Sequence, residues 1–91
     1  MVQAIENRSL VRCTPRGEPR PGPADGWSTV VVLIERTSPA GAAADLMTDA
    51  AGSEYTALVP PDLVPKLSGE RVWTVEVEVT GPKRITIRSL G

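Results

Sequence analysis

The side chains that could do chemistry in this sequence are carboxylates, arginines and one thiol, that of Cys13. The sequence contains no histidine. A catalytic thiol needs a neighbouring base or a group that stabilises its thiolate, and no histidine is present to act as either. The same absence excludes nucleophile–histidine catalysis and the histidine-containing zinc sites. Because Val11 and Thr14 are its neighbours, we expect Cys13 to be a small, inert core residue near a strand end.

Two carboxylates, Glu76 and Glu78, stand two positions apart, and a catalytic carboxylate pair can use such a spacing. They alternate with valines in a strand-like pattern and are therefore expected on the solvent face of that strand. Asp45 and Asp49 lack the oxygen-ligand spacing of a calcium loop. No glycine-rich phosphate-binding motif precedes a helix pattern. The sequence accordingly predicts a protein that is not an enzyme and that uses no cofactor and no metal.

Basic charge is concentrated in the two ends of the chain. Residues 27–70 carry a net charge of −4, whereas residues 1–26 and 71–91 carry +1 and +2. The total of −1 gives no electrostatic reason to expect binding to nucleic acid or to an anionic membrane. If both ends contribute to one basic edge, that edge could meet an acidic partner protein. The candidate partner-binding residues are Arg8, Arg12, Arg84 and Arg88.

The spacing of Arg8 and Arg12 also resembles the R-x-x-x-R motif of PilZ cyclic-dinucleotide receptors. That resemblance implies a nucleotide ligand held by arginines. The D/N-x-S-x-x-G motif of the same family is absent from the sequence, so the match covers residues 8–12 alone. A small-anion or nucleotide sensor that uses the four candidate arginines remains an alternative function.

The clearest structural element is a hairpin over residues 70–88, in which valines and isoleucines alternate with polar residues on both sides of Gly81-Pro82. This two-residue period is typical of strands with one buried face. Matching the apolar faces predicts a three-residue loop, Gly81 to Lys83. The predicted cross-strand pairs are Val79–Ile85, Glu78–Thr86, Val77–Ile87 and Glu76–Arg88.

The other elements follow from local composition. An opening strand is predicted over about 8–13, and an exposed loop without regular structure over 14–26, where proline and glycine are dense. The apolar run in residues 27–36 predicts a central strand covered on both sides. A further strand is predicted over 53–59, followed by a short helix at about 61–67 that Pro65 limits.

Residues 37–52 are ambiguous. One interpretation is a helix over about 39–51 that begins at Ser38-Pro39 and ends at Gly52. The other is a strand at about 42–48 that forms a hairpin with the following strand, with Leu46 opposite Tyr55 and Ala44 opposite Ala57. The hairpin is the favoured interpretation, because Gly41 and Thr48 weaken the helix.

Together these elements predict a single domain over residues 1–91 and an all-β fold, a small five- to six-stranded antiparallel barrel. The last six elements follow an OB-like order, three strands, a helix and two strands. The alternatives are an α+β fold with the 39–51 helix, an SH3-like barrel and a small sandwich. Open sheet edges at 27–36 and 71–80 would favour a homo-oligomer.

The predicted function is a non-catalytic module that binds another protein or acts as an assembly component. An OB-type binder of single-stranded nucleic acid is an alternative, but it needs stacking aromatics, and the middle strands offer Tyr55 alone among Asp45, Asp49 and Glu54. One cysteine, no membrane-spanning run and no signal peptide predict a cytoplasmic protein without membrane contact.

We expect Trp73→Ala to lower the free energy of unfolding by about 3–5 kcal/mol. Trp73 begins the inward row of the best-defined strand, and the sequence has only two other aromatic residues, Trp27 and Tyr55. Such a loss is enough to unfold a small domain. Thermal melting by circular dichroism measures it, and a wild-type melting curve for the variant would show that the assigned face is wrong.

Overall fold

A computed structural model describes residues 7–41 and 44–91, which form six strands and one short helix. The predicted lead-in before residue 7, and residues 42–43 of the ambiguous segment, lie outside the described residues. The elements are β1 (Ser9–Pro15), β2 (Arg20–Pro21), β3 (Ser28–Pro39), β4 (Glu54–Val59), α1 (Val64–Leu67), β5 (Trp73–Gly81) and β6 (Arg84–Leu90).

Five of the strands close into a barrel, which confirms the predicted small all-β fold. β1 pairs with β3 and β5, β6 pairs with β5 and β4, and β4 pairs with β3. Each long strand therefore has a neighbour on both sides, and the two-residue β2 is added alongside the start of β3. All ladders are antiparallel except the short one between β4 and β6, which is parallel.

The first strand of the barrel is the opening strand β1, whereas the sequence predicted that the order of the barrel begins with the strand at 27–36. The strand expected at 42–48 is not part of the barrel, because β3 is the partner that β4 meets: Tyr55 lies opposite Val32, and Ala57 lies opposite Val30. Neither the 39–51 helix nor the hairpin with Leu46 opposite Tyr55 is formed by the described residues of that segment. Both interpretations were wrong because they used local pattern alone. β1, which is remote in the sequence, pairs with β3 and provides the fifth strand that residues 42–48 were expected to provide.

Residues 44–52 form an irregular strap instead, held by polar groups at one end of β1. The Asp45 carboxylate accepts hydrogen bonds from the Ser9 hydroxyl at 2.5 Å and from the backbone N–H of Met47 at 3.0 Å. The Thr37 hydroxyl donates to the Met47 carbonyl at 2.9 Å. Met47 and Ala50 are buried in the core. Two buried apolar side chains are too few for the apolar stripe of a helix. The hydrogen bonds of Asp45 and Thr37 therefore determine the conformation of the segment.

The core is built from one side chain in two along each strand. On β3, Val30, Val32 and Ile34 are buried, whereas Val31 is 40% exposed, so the expectation that this strand is covered on both sides was wrong. A single closed barrel has one interior, and the outer face of β3 has no layer packed over it. The remaining strand residues in the core are Val11, Cys13, Ala57, Val59, Trp73, Val75, Val77, Ile85 and Ile87.

The β5–β6 hairpin has the predicted register near its turn and departs from it further away. Three predicted pairs are confirmed: Val79–Ile85, Glu78–Thr86 and Val77–Ile87. Glu76 lies opposite Ser89 and not Arg88, because the register shifts between Glu76 and Val77.

The turn of this hairpin is one residue shorter than predicted. Gly81 pairs with Arg84, which leaves the two residues Pro82 and Lys83 as the loop. Lys83 has a positive φ of 54°, a backbone conformation that two-residue hairpin turns often require. A second register shift, between Val79 and Gly81, accommodates the shorter turn.

The proline- and glycine-rich segment is exposed, as predicted, but it is more ordered than an unstructured loop. β1 runs on to Pro15, and Arg20–Pro21 pair with Thr29 and Ser28 of β3. The N–H of Gly22 donates to the carbonyl of Trp27 at 2.8 Å. Pro21 can take this position because β2 is an edge strand, where a missing N–H costs no ladder bond.

Closure of the barrel also removes the sheet edges through which we expected self-association. β3 is paired on both sides by β1 and β4, and β5 by β1 and β6. Within residues 7–41 and 44–91, no helical segment has the length and hydropathy that a membrane crossing requires.

We expect Asn7→Ala to lower the free energy of unfolding by about 2–3 kcal/mol. Asn7 is 4% exposed; its Oδ1 accepts from the N–H of Val79 at 2.7 Å, and its Nδ2 donates to the Val79 carbonyl at 3.2 Å. The side chain thus continues the β1–β5 ladder by one more pair, and its removal leaves two backbone groups without these partners.

The matched control for this variant is Arg8→Ala, one residue along. Arg8 makes a partly exposed ion pair, and its loss should cost less than about 1 kcal/mol. Urea denaturation of both variants measures the two free energies. An equal effect in the two would contradict the structural role of Asn7.

Candidate functional site

The four candidate arginines do not form one basic edge. Arg8 directly precedes β1 and Arg12 lies on it, whereas Arg84 and Arg88 lie on β6. β1 and β6 lie on opposite sides of β5, whose outward glutamates stand between them. Arg8 Nη1 lies 3.8 Å from Glu76, and Arg88 Nη2 lies 3.0 Å from Glu78. These glutamates, which resembled a catalytic pair in the sequence, therefore serve as partners of arginines.

Arg12 and Arg84 are remote from each other. Arg12 lies opposite Thr74 near the start of β5, whereas Arg84 lies opposite Gly81 at its end. Seven strand positions at about 3.3 Å each separate the two sites by roughly 23 Å. Arg12 Nε is also 3.4 Å from Glu35. The tertiary structure thus brings Arg8 and Arg88 to the two sides of β5 and leaves Arg12 and Arg84 apart.

Arg84 is adjacent to a different surface, a groove between the loop 16–20 and the outward side chains of β3 and β4. We call this surface the loop–strand groove. It has a volume of about 700 Å³. Arg84 lies beside it, because β6 places Arg84 opposite Thr56, which lines the groove. The lining residues that matter here are Arg16, Glu18, Arg20, Thr29, Val31 and Thr56.

The groove has a basic border. Arg16 Nε lies 3.7 Å from Glu54, but more than half of each of these side chains is exposed, so solvent weakens the pair. Arg20 and Arg84 have no carboxylate partner among the described residues. Lys83 lies over the ring of Tyr55, with 5.0 Å between Nζ and the ring centroid. Arg20 and Arg84 are therefore positive charges at the border that no nearby carboxylate neutralises.

The floor of the groove is apolar at Val31 and has no aromatic side chain among its described lining residues. Tyr55, the one aromatic residue on the middle strands, packs against the core from its half-buried position on β4. Asp45 and Asp49, which were expected on the middle strands, lie in the strap. The groove lining therefore combines two arginines and one glutamate with two threonines, Val31, Pro19 and Gly17.

Sequence reasoning did not find this groove. Arg16 and Arg20 belong to the proline- and glycine-rich loop, and Val31 belongs to a run that was expected to be buried on both faces. The signal that could have indicated the site was the set of long charged side chains, Arg16, Glu18 and Arg20, in a loop otherwise rich in proline and glycine. Their position beside β3 and β4 depends on the β2–β3 ladder, which sequence pattern does not specify.

Cys13 is buried in the core, as expected, and its chemistry is suppressed. Burial and, to a lesser extent, the nearby negative charge of Glu35 together raise the pKa of the Cys13 thiol from 9.0 to about 12. A thiol with such a pKa stays protonated at neutral pH and is a poor nucleophile. Among the described residues, no three histidine, cysteine or acidic side chains are grouped as a metal ion would require.

Comparison of the chain with models of protein families, with curated proteins and with solved structures gave no significant match.

We expect the stability of the protein to fall as the pH rises from about 9 towards 12. In the unfolded chain the Cys13 thiol ionises with a pKa of 9.0, whereas in the folded protein it stays protonated up to about 12. The folded state therefore binds more protons within this window, and each pH unit costs up to about 1.4 kcal/mol from this group.

The measurement is the free energy of unfolding in urea across that window for the wild type and for Cys13→Ala. The variant lacks the thiol, so its stability should fall less steeply with pH. Every other ionisable group is common to the two proteins, so the comparison isolates the thiol. Equal slopes would contradict the raised pKa of Cys13.

Proposed function

We propose that the chain is a non-catalytic binding module that recognises an acidic segment of another protein in the loop–strand groove. The observation that carries the proposal is the placement of Arg16, Arg20 and Arg84 around a concave surface whose floor includes the exposed Val31. Basic side chains at a rim give an acidic partner orientation and a fast encounter, and a central apolar contact gives it affinity.

The strand order supports an OB-type barrel, which we propose as the fold family of this module. Around the barrel the order is β1, β3, β4, β6, β5 and back to β1, with α1 between β4 and β5. OB-type barrels bind ligands on the face of their second and third strands, between two loops. Here those strands are β3 and β4, and the groove lies on their outer face. The analogy concerns position alone, because a fold does not specify a ligand.

A protein segment fits this groove better than a single-stranded nucleic acid does. Binding to single strands relies on aromatic side chains on which bases stack. The groove lining has none among the described residues, and Tyr55 packs inward against the core. A groove of about 700 Å³ accommodates a short segment, which corresponds to a small and reversible interface of a module in a larger assembly.

The nucleotide-sensor alternative receives less support. It requires arginines that converge on one anion, whereas Arg8, Arg12 and Arg88 each pair with a different glutamate.

We further propose a cytoplasmic, reducing location. Cys13 is free and buried, so it could form a disulfide with another molecule only if the barrel unfolded.

We expect Arg20→Glu to weaken the binding of acidic peptides by at least about fivefold, because it replaces an attraction by a repulsion at the groove rim. The peptides are selected from a random ten-residue library on the wild-type protein, and their affinities are measured by fluorescence polarisation at two salt concentrations. Selected sequences should be acidic, and their affinity should fall as salt is added.

The matched control is Arg71→Glu, which changes charge by the same amount at an exposed arginine that lines none of the described grooves. It should leave peptide affinity within about twofold, because an exposed charge that does not line the groove is screened by solvent and salt. A labelled single-stranded oligothymidylate is the second arm. Tighter binding of the oligonucleotide than of any selected peptide, or neutral selected peptides, would overturn the proposed partner class.

A further inference from the structure

A separate concave surface lies on the outer face of the barrel, across the neighbouring strands β3, β1 and β5. We call it the bulge site. It has a volume of about 330 Å³ and is lined by two arginines, two hydroxyl side chains and one leucine: Arg12, Arg36, Ser38, Thr74 and Leu10. None of these residues lines the loop–strand groove.

The two arginines of the bulge site face each other across a strand pair. Arg12 of β1 and Arg36 of β3 are partners in the antiparallel ladder, and both are exposed. Like charges in directly opposite positions destabilise a sheet. An anion held between the two guanidinium groups removes this repulsion, and guanidinium groups bind oxoanions through paired, charge-assisted hydrogen bonds.

A β-bulge places a carboxylate beside this pair of arginines. The register shift between Arg12 and Cys13 leaves Glu35 as an extra residue of β3, and both Glu35 and Arg36 are exposed. Glu35 lies 3.4 Å from Arg12 Nε and accepts a hydrogen bond from the Thr14 hydroxyl. Arg36 has no carboxylate within salt-bridge distance among the described residues. The positive charge that Glu35 does not neutralise is therefore that of Arg36.

The other side chains of the bulge site suit a phosphate group with a small carbon substituent. Ser38 is two residues from Arg36 on β3, so the two side chains share the outer face. Thr74 lies opposite Arg12 on β5. Both hydroxyls can donate a hydrogen bond to a phosphate oxygen. Leu10 is half-buried opposite Ser38 and offers an apolar contact to the substituent.

We propose that the bulge site binds a small phosphate monoester, with the phosphate group between the guanidinium groups of Arg12 and Arg36. A phosphate monoester carries close to two negative charges near neutral pH and has three strong acceptor oxygens. This matches the two arginines and the two hydroxyl donors better than a singly charged anion does.

The bulge site differs from the anion sensor that the sequence suggested, because Arg8, Arg84 and Arg88 do not line it. It also shares no lining residue with the loop–strand groove, so the failure of either proposal would leave the other intact.

The test titrates the full chain with phenyl phosphate, phenyl sulfate and inorganic phosphate and follows the ¹H–¹⁵N spectrum. Phenyl phosphate should shift the amide signals of residues 10–12, 36–38 and 74 in a saturable way. Phenyl sulfate has nearly the same shape but one negative charge, so it should bind about threefold more weakly or worse. Inorganic phosphate should also bind more weakly than phenyl phosphate, because it has no ring to contact Leu10. Shifts that do not saturate, or that lie elsewhere on the barrel, would overturn the proposal.

Two variants should change the affinity for phenyl phosphate in opposite directions. Arg36→Gln should weaken binding by about fivefold or more, because it deletes the guanidinium that no carboxylate neutralises. Glu35→Gln should strengthen binding by about threefold, because it removes the carboxylate that competes for Arg12. A loss of folding cannot produce such a gain.

The matched control is Lys66→Gln, which removes one positive charge from an exposed position on α1 that does not line the bulge site. It should leave the affinity within about twofold, because solvent and salt screen that charge. Unchanged affinity in both Arg36→Gln and Glu35→Gln would overturn the proposal. If Arg36→Gln does not fold, unchanged affinity in Glu35→Gln overturns it alone.

Discussion

The short parallel ladder between β4 and β6 is the interaction on which the rest of the structure depends. It joins Thr56, Ala57 and Leu58 to residues 84–86 and converts a curved sheet into a closed barrel. Ala57 and Ile85, which face each other across it, are both fully shielded from water. Without this pairing, β4 and β6 would each present unpaired backbone groups, and the core would be open along one side. The same ladder places Arg84 beside the groove.

The loop 16–20 separates two concave surfaces of different character. Gly17 and Pro19 line both of them, namely the loop–strand groove and an apolar pocket beside Leu67 and Trp73 at one end of the barrel. Gly17 has a φ of 101°, a conformation that glycine adopts without strain, and this lets the chain turn between the end of β1 and β2. The hydrogen bonds of β2 to β3 then hold the loop against the barrel.

Ion pairs on the outer face act locally and do not create a strong field. The two glutamates of β5 receive Arg8 from one side and Arg88 from the other, and Glu35 receives Arg12. Such exposed pairs contribute little to stability but neutralise one another. At the loop–strand groove, Arg20 and Arg84 have no carboxylate within salt-bridge distance among the described residues.

The sequence by itself determined the elements whose signal is local. The alternation of valines around Gly81 specified the β5–β6 hairpin and most of its register, β4 and α1 appeared close to their predicted places, and the burial of Cys13 and Trp73 was predicted correctly. The tertiary structure alone decided the role of residues 44–52, the length of β3 and the position of the groove. These depend on pairing between β1, β3 and β5, residues that are far apart in the chain. Local periodicity specifies which face of a strand is apolar, whereas the choice of neighbour follows from closing one barrel around one core.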